Sequence, residues 1–293
     1  MLRGLYTAAS GMLTEQRRHD TVTQNISNIN TNGYKQVTTV KRSFPEMLLS
    51  MNGGGESNNK QIGRLHAGVM AEESMSMNIQ GEIAQTQSGT DFYLASTLPV
   101  NDPATGEPIQ FDASGKYVSE DGEVTYRPEA FFAVQGPNGD IGYTKNGSFQ
   151  VNSEGYLMTA NGYQVLDTNF EPIQIEGSVD NFVVDGRGRV LDAATGQPSD
   201  VSLALSVINN PNQLERQGNG LLLLNTDNGA EARLITPEDN ITLRQGYVEK
   251  SNVDTTQAMV DLNAALRAYE ANQKVLQFYD TSLEKAVTEV GRV

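Results

Sequence analysis

The fold of the middle of this chain follows from one stretch, residues 130–167, which reads AFFAVQGPNGDIGYTKNGSFQVNSEGYLMTANGYQVLD. Short apolar or alternating runs are interrupted there by four turn signals, PNGD, KNGS, NSEG and ANGY. Asn-Gly pairs between such runs are strong local signals for β-hairpins, and regularly spaced short strands are typical of an antiparallel sheet. The stretch therefore predicts a β-rich antiparallel body.

The same pattern of short apolar runs and turn signals continues on the C-terminal side, in NFVVDGRGRVLD (181–192) and QGNGLLLLNTDNGA (217–230). Two polar, glycine-rich segments interrupt it, residues 50–61 and residues 97–129. Such composition is typical of loops and linkers. We predict loops in both segments and allow for an inserted hairpin in the second.

At both ends of the chain the spacing of apolar residues differs from that in the middle. Apolar and small residues recur there at alternating three- and four-residue steps, which predicts one apolar face of a long helix at each end. At the N-terminal end this assembly seam comprises Leu2, Leu5, Ala9, Met12, Ile26 and Ile29. At the C-terminal end it comprises Met259, Leu262, Leu266, Tyr269, Leu276, Leu283 and Val287.

Two local features support these helices. Asp254, followed three residues later by Gln257, is suited to cap the start of the C-terminal helix. Ala8, Ala9 and Gly11 lie on or beside the N-terminal seam, where small side chains allow a partner helix to approach closely. We expect the two ends to pair with each other and then with the ends of neighbouring copies. The predicted class is α+β, with paired, coiled-coil-like terminal helices and a central antiparallel β-rich domain.

Composition limits the possible functions. The 36 acidic and 21 basic residues leave a formal charge of −15, which argues against a general nucleic-acid or anionic-membrane binder. The absence of cysteine excludes disulfides and thiolate chemistry. The N-terminus lacks the apolar core of a cleaved secretion signal, and no apolar run is long enough for a membrane span.

Residues that could support catalysis are sparse. The two histidines, His19 and His66, are isolated from other candidate ligands, and the paired carboxylates lie in turn-like sequence. No phosphate-binding loop or nucleophile motif occurs. We therefore predict no enzyme activity, no cofactor, no metal site, no small-molecule substrate and no nucleic-acid partner.

Three segments resemble the bacterial flagellar rod and hook proteins. The N-terminal MLRGLYTAASGMLTEQRRHDTVTQNISNINTNGYKQ is similar to that family's helix ending in an NNIANxNTxGYK-type motif. The stretch at 130–167 resembles its β-domain pattern, and QGYVEKSNVDTTQAMVDLNAALRAYEANQK resembles its C-terminal pattern. RSFPEMLLS at 42–50 and the moderate length favour a rod protein of the Gram-positive type over the hook protein itself.

The resemblance implies a residue-by-residue motif and a division of the chain. The motif residues are Asn25, Asn28, Asn30, Thr31, Gly33, Tyr34, Lys35, Ser251, Asn252, Val253, Arg267, Tyr269 and Glu270. The predicted domains are a helical assembly domain (1–36 with 250–293), a linker with the start of the β-domain (37–96), an insertion (97–128) and a β-rich outer domain (129–249). The insertion departs from the family pattern. DLNAALRAYE departs from it as well, because relatives often have a glutamine just before the RAYE element.

The asparagines of the motif have a physical interpretation. Asn30, Asn32 and Gly33 suit a helix stop, because asparagine and glycine tolerate left-handed backbone angles. Asn25 and Asn28 lie further back in the helical pattern, and we expect them to form hydrogen bonds across a subunit contact. The alternative is that they are exposed polar residues at a helix end.

The resemblance also implies function and partners. It predicts a structural subunit of the flagellar basal-body rod that polymerises through its terminal helices into a hollow drive shaft and export channel. Its partners would be copies of itself, neighbouring rod or hook proteins and the flagellar type III export apparatus, and its location the basal body. Two alternatives remain at this stage, a secreted or surface binding module of the adhesin kind and a cell-wall hydrolase.

Overall fold

The computed structural model describes residues 2–50, 61–102, 106–112, 115–119, 122–136, 139–175, 182–191, 196–217, 220–224 and 231–290. The helices are α1 (Leu2–Ser27) and α2 (Thr255–Lys285), with a π-helical turn at Ala286–Val290 and a 3₁₀ turn at Pro211–Gln213. The strands are β1 (Val37–Ser43), β2 (Met47–Ser50), β3 (Gln61–Leu65), β4 (Val69–Ser76), β5 (Ile83–Gln85), β6 (Phe92–Ser96), β7 (Lys116–Val118), β8 (Val124–Tyr126), β9 (Glu129–Gln135), β10 (Ile141–Thr144), β11 (Phe149–Val151), β12 (Leu157–Thr159), β13 (Gln164–Val165), β14 (Val183–Val184), β15 (Arg189–Leu191), β16 (Pro198–Ser202), β17 (Leu205–Ile208), β18 (Leu214–Arg216), β19 (Leu222–Leu224), β20 (Ala232–Leu234), β21 (Ile241–Gln245) and β22 (Tyr247–Glu249). The α+β class is thereby confirmed.

The chain divides into two compact units. The helical unit comprises residues 1–27, 37–75 and 253–293, and the β-unit comprises residues 28–36 and 76–252. The chain thus passes from one unit to the other several times, and the Asn-rich motif itself is shared between them.

In the helical unit, α1 and α2 contact each other, and strands β1 and β4 form a small sheet. Hydroxyl groups attach α1 to this sheet: Thr14 Oγ1 lies 3.4 Å from the Val69 carbonyl, and the hydroxyls of Thr21 and Thr39 are 2.7 Å apart. Strands β2 and β3 extend as an antiparallel pair. Most of the predicted loop at 50–61 lies outside the described residues.

The β-unit is built on a nine-stranded sheet with β9 at its centre. Strand β9 pairs antiparallel with β10, β13 and β17. Its side chains alternate between two clusters, with Phe132 and Val134 in the larger and Phe131 and Ala133 in the smaller. A strand buried on both faces reads as a continuous apolar run, which explains why EAFFAVQ shows no polar alternation.

Three of the four predicted turns fall between strands as expected, while PNGD includes residues 137 and 138, which lie outside the described residues. Asn152–Gly155 joins β11 to β12, and Thr159–Gly162 joins β12 to β13 through a Gly162 N–H bond to the Thr159 carbonyl. The larger cluster gains specific geometry from aromatic rings, with Phe132 edge-on to Phe149 at 5.2 Å between centroids. Such offset and edge contacts add to the stabilisation from burial alone.

Residues 97–129, predicted as loop with room for a hairpin, contain the antiparallel pair β7–β8. Neither described helix is long and apolar enough to serve as a membrane span.

Candidate assembly site

Helices α1 and α2 run antiparallel. Arg18 forms an ion pair with Asp261 (Nη2 to Oδ1, 2.7 Å), while Gly11, which precedes Arg18 on α1, faces Asn272, which follows Asp261 on α2. Gly4, one heptad before Gly11, lies against the ring of Tyr279. Residue numbers therefore increase along α1 in the direction in which they decrease along α2. The glycines allow this close approach, because a β-carbon at Gly4 would overlap the tyrosine ring.

The start of α2 agrees with its predicted cap. The Asp254 carboxylate accepts hydrogen bonds from the backbone N–H groups of Thr256 and Gln257, at 2.8 and 3.0 Å. This bonding satisfies two of the free donors at a helix N-terminus.

The C-terminal seam separates into two rows in the structure. Ala258 and Ala265 are buried, and half-buried residues continue their row. The seam residues in this packed row are Leu262, Tyr269, Leu276 and Leu283. The remaining seam residues, spaced by multiples of seven, form an exposed row: Met259 is 53% exposed, Leu266 40% and Val287 72%.

The N-terminal seam is half-buried at Leu5, Ala9, Met12 and Ile26. The side chain of Leu2 lies outside the described residues. Ile29 requires a correction: α1 ends at Ser27, so Ile29 lies in the turn that follows and not on the helix. The apolar period continues past the point where the helical hydrogen bonds stop.

Two further apolar side chains of α1 are exposed, Tyr6 at 68% and Leu13 at 59%. On α2, Val260 and Phe278 are also exposed, at 58% and 74%. Exposed apolar rows on both helices are characteristic of interaction surfaces rather than of a helix pair that is complete in itself.

Asn25 corrects another expectation. Its side chain is 3% exposed, its amide donates to the Val37 carbonyl at 2.8 Å, and its Oδ1 accepts from the Val37 N–H at 2.9 Å. This bidentate contact binds α1 to β1 within one chain. The predicted bond across a subunit contact is therefore wrong for Asn25, because both ends of the amide are used internally.

Asn28 is used within the chain as well, since its Oδ1 lies 3.1 Å from the Thr31 hydroxyl and its carbonyl accepts from the Thr31 N–H. Asn30 is exposed. The left-handed backbone angle falls on Gly33, with φ of 70°, and not on Asn30 or Asn32.

A buried ion pair stands at the centre of the motif in the β-unit. Lys35 Nζ lies 2.8 Å from Glu249 Oε1, and the two side chains are 9% and 5% exposed. The ammonium also donates to the Ile79 carbonyl at 2.9 Å. Glu249 accepts in addition from the Gly81 N–H at 2.7 Å, and its own carbonyl accepts from the Gly33 N–H at 2.7 Å. Glu249 therefore connects three distant segments.

Asn252 makes a second set of connections. Its Oδ1 accepts from the Gln36 N–H at 2.6 Å, and its Nδ2 donates to the carbonyls of Met77 and Ile79, both at 3.0 Å. The two motif segments predicted from the resemblance thus meet in space, through side chains more than 200 residues apart. The name motif cluster is used for Lys35, Glu249 and Asn252 together with the groups to which they form hydrogen bonds.

Arg216 completes the cluster and was not anticipated from the sequence. Its guanidinium lies 5.0 Å from the centroid of the Tyr34 ring and donates to the Lys35 carbonyl at 3.1 Å. Burial raises the pKa of the Tyr34 phenol, an effect that the Arg216 charge opposes. Burial also lowers the pKa of Arg216, although the group remains cationic near neutral pH.

The remaining motif residues differ in burial. Val253 is buried, Ser251 is half-buried, and Arg267 and Glu270 are exposed on α2.

No group of three or more His, Cys, Asp or Glu side chains suited to hold a metal occurs among the described residues.

Replacing Gly33 by Ala is expected to destabilise the chain by about 2–4 kcal/mol, from left-handed strain and overpacking together. A β-carbon there would lie 2.6 Å from the carbonyl carbon of Lys145 and 2.7 Å from the Asn146 nitrogen. The measurement is urea unfolding. Gly162→Ala is the matched control, because φ there is 85° and nothing lies within 4 Å of the added carbon. Equal losses in the two variants would show that the close approach at Gly33 is unimportant.

The fold and the site define a class of protein: a structural chain with two terminal helices that present uncovered apolar rows, and with a separate β-unit. Three family models match. They are the flagella basal body rod protein model (residues 5–35), the flagellar hook protein FlgE/F/G D1 domain (128–191) and the flagellar basal body rod FlgEFG protein C-terminal model (244–289).

Curated relatives extend these matches over the whole chain. The flagellar hook-basal body complex protein FlhO of Bacillus subtilis is 34% identical, covering 100% of both chains. FlhP of the same organism is 27% identical over 97% of each, and the flagellar basal-body rod protein FlgG of Borreliella burgdorferi is 29% identical over 97% of each. The chain belongs to the flagellar basal-body rod and hook protein family. This family consists of structural proteins and not of enzymes.

Proposed function

We propose that the chain is a structural subunit of the flagellar basal-body rod, polymerising through its terminal helices. The observation that carries the proposal is the exposed row of α2, Met259, Leu266 and Val287, which the contact with α1 leaves uncovered. In a helical polymer the same row recurs on every subunit, so each buried side chain contributes at roughly 25 cal/mol per Å² along the whole tube. The relatives FlhO and FlgG, named as basal-body proteins, support this role.

The details of assembly are part of the proposal. The terminal helices of neighbouring copies pack in coiled-coil fashion and surround a central channel, with residues 1–36 and 250–293 as the assembly domain. Residues 37–96 link it to the β-rich outer domain at 129–249, and residues 97–128 are an insertion in that outer part. The remaining motif and seam residues hold the helices in their assembled geometry.

The partners follow from this arrangement. They are copies of the same chain, neighbouring rod or hook proteins along the axis, and the flagellar type III export apparatus during delivery to the basal body. A rod position is favoured by the FlgG relative, which is named as a basal-body rod protein. The adhesin alternative finds no support in the family matches.

The test is removal of both terminal helices. A chain of residues 28–252 retains the motif cluster and the nine-stranded sheet, so we expect it to give a β-rich circular dichroism spectrum and to sediment as a monomer. Supplied to cells that lack the gene, it should not restore motility, whereas the full chain should. Tubes or motility obtained with residues 28–252 would contradict assembly through the helices.

A further inference from the structure

The hairpin β7–β8 presents an exposed apolar pair. Val118 and Val124 lie directly opposite each other in the ladder, and they are 52% and 41% exposed. Behind them the Tyr117 hydroxyl lies 3.1 Å from Asp102 Oδ2, on the other face of the ribbon. An isolated two-stranded hairpin is marginally stable in water, so an exposed apolar pair on such a ribbon is suited to be covered by something else.

The hairpin is also acidic. Residues 119–123, which join the two strands, include three acidic side chains and no basic one. Glu123 is exposed immediately beside Val124. A surface that fits this hairpin must offer apolar contact together with positive charge.

The chain carries such a surface at a different place, on the ribbon β14–β15. Val183 is 40% exposed, and Arg187 is exposed in the turn between the strands. Arg189 is 52% exposed and pairs with Asp185 at 2.7 Å, so Asp185 offsets one of the two positive charges. In the turn between β14 and β15 the Arg187 charge remains in excess, and the exposed Asp200 of the same sheet lies on the third strand, β16.

We propose that the β7–β8 hairpin of one copy docks on the β14–β15 ribbon of a neighbouring copy, placing Val118 and Val124 against Val183 and Glu123 beside Arg187. The proposal rests on the proposed function, because it names an outer contact of the same polymer. All five side chains are exposed in the single chain, so the two surfaces do not cover each other within one copy.

The geometry of the contact suits a polymer. Different patches of two copies meet, which is a head-to-tail contact that generates open helical assemblies. Contact of like with like is disfavoured at either patch, because two acidic hairpins or two arginine turns would repel. Charge complementarity therefore selects the head-to-tail arrangement.

The absence of native cysteine allows a direct test. Cells lacking the gene are supplied with the full chain carrying E123C and R187C together, basal bodies are isolated and oxidised, and the protein is resolved without reductant. We expect a ladder of dimers and higher oligomers. Each single-cysteine variant, and the matched pair E123C with K250C, should stay monomeric. Swimming cells without a ladder would overturn the docking contact while leaving the rod function intact.

Charge exchange gives a second readout should the cysteine pair impair assembly. E123R and R187E alone each place like charges together, and we expect about a tenfold loss of flagella per cell from each. The double variant E123R/R187E restores the opposite charges and should recover the flagella. Failure of the double variant to recover what both singles lose would count against the contact. Loss of assembly after removal of the terminal helices tests the rod function separately.

Discussion

Replacing Leu266 by Asp is expected to abolish assembly while leaving the free chain folded. Leu266 is 40% exposed and lies in the row of α2 that α1 does not cover. Burying a leucine contributes about 1.5–3 kcal/mol, and the variant would instead place a carboxylate in an apolar contact, which costs more unless the charge is paired. A loss of about 3 kcal/mol per contact lowers association by more than about a hundredfold. Motility and isolated basal bodies are the readouts.

Two control variants isolate this effect. Leu266→Met keeps an apolar side chain of similar volume and should assemble. Leu276→Asp changes the packed row instead, so we expect it to weaken the α1–α2 pair itself and to reduce the helix signal of the free chain. If Leu266→Asp cells swam normally, the exposed row would not be an assembly surface.

Replacing Lys35 by Met is expected to destabilise the chain by about 3–5 kcal/mol, because it leaves the buried Glu249 carboxylate without its cation. Tyrosine fluorescence can follow urea unfolding, since the chain has 11 tyrosines and no tryptophan. We expect a lower midpoint in urea.

The neighbouring ion pair provides a matched control. Lys250 pairs with Glu82 at 3.2 Å, but these side chains are 53% and 77% exposed. Exposed pairs contribute about 0–1 kcal/mol, so Lys250→Met should change the midpoint little. Similar losses in Lys35→Met and Lys250→Met would contradict the central role of the buried pair.

Local signals in the sequence predicted the local structure well. The turns of the β-unit follow from Asn-Gly and related pairs, because left-handed backbone angles limit the residues that fit. The Asp254 cap was likewise readable, since its partners lie two and three residues away. The end of α1 was placed too late, because apolar spacing persists to Ile29 beyond the last helical turn.

The assembly seam shows what the spacing of apolar residues cannot predict. A three-four repeat predicts an apolar helix face, but it does not state which partner covers each residue. Four of the seven C-terminal seam residues lie in the packed row and three stay exposed, because an apolar band wider than one partner gives a single stripe in the sequence.

Long-range partners could not be predicted. Glu249 is separated from Lys35 by 214 positions, and Arg216 reaches the Lys35 carbonyl across 181. Asn25 was predicted to matter but was given the wrong partner, because an asparagine in a helical pattern carries no sign of the strand that meets it. The resemblance identified the motif, and only the structure shows what its side chains bond.

The most direct measurement is to delete the gene, isolate basal bodies and image what remains attached to the cell envelope. The account predicts a shortened rod without a hook, restored to full length by the wild-type chain. Complete, rotating flagella in the deletion strain would contradict an essential structural role in the rod.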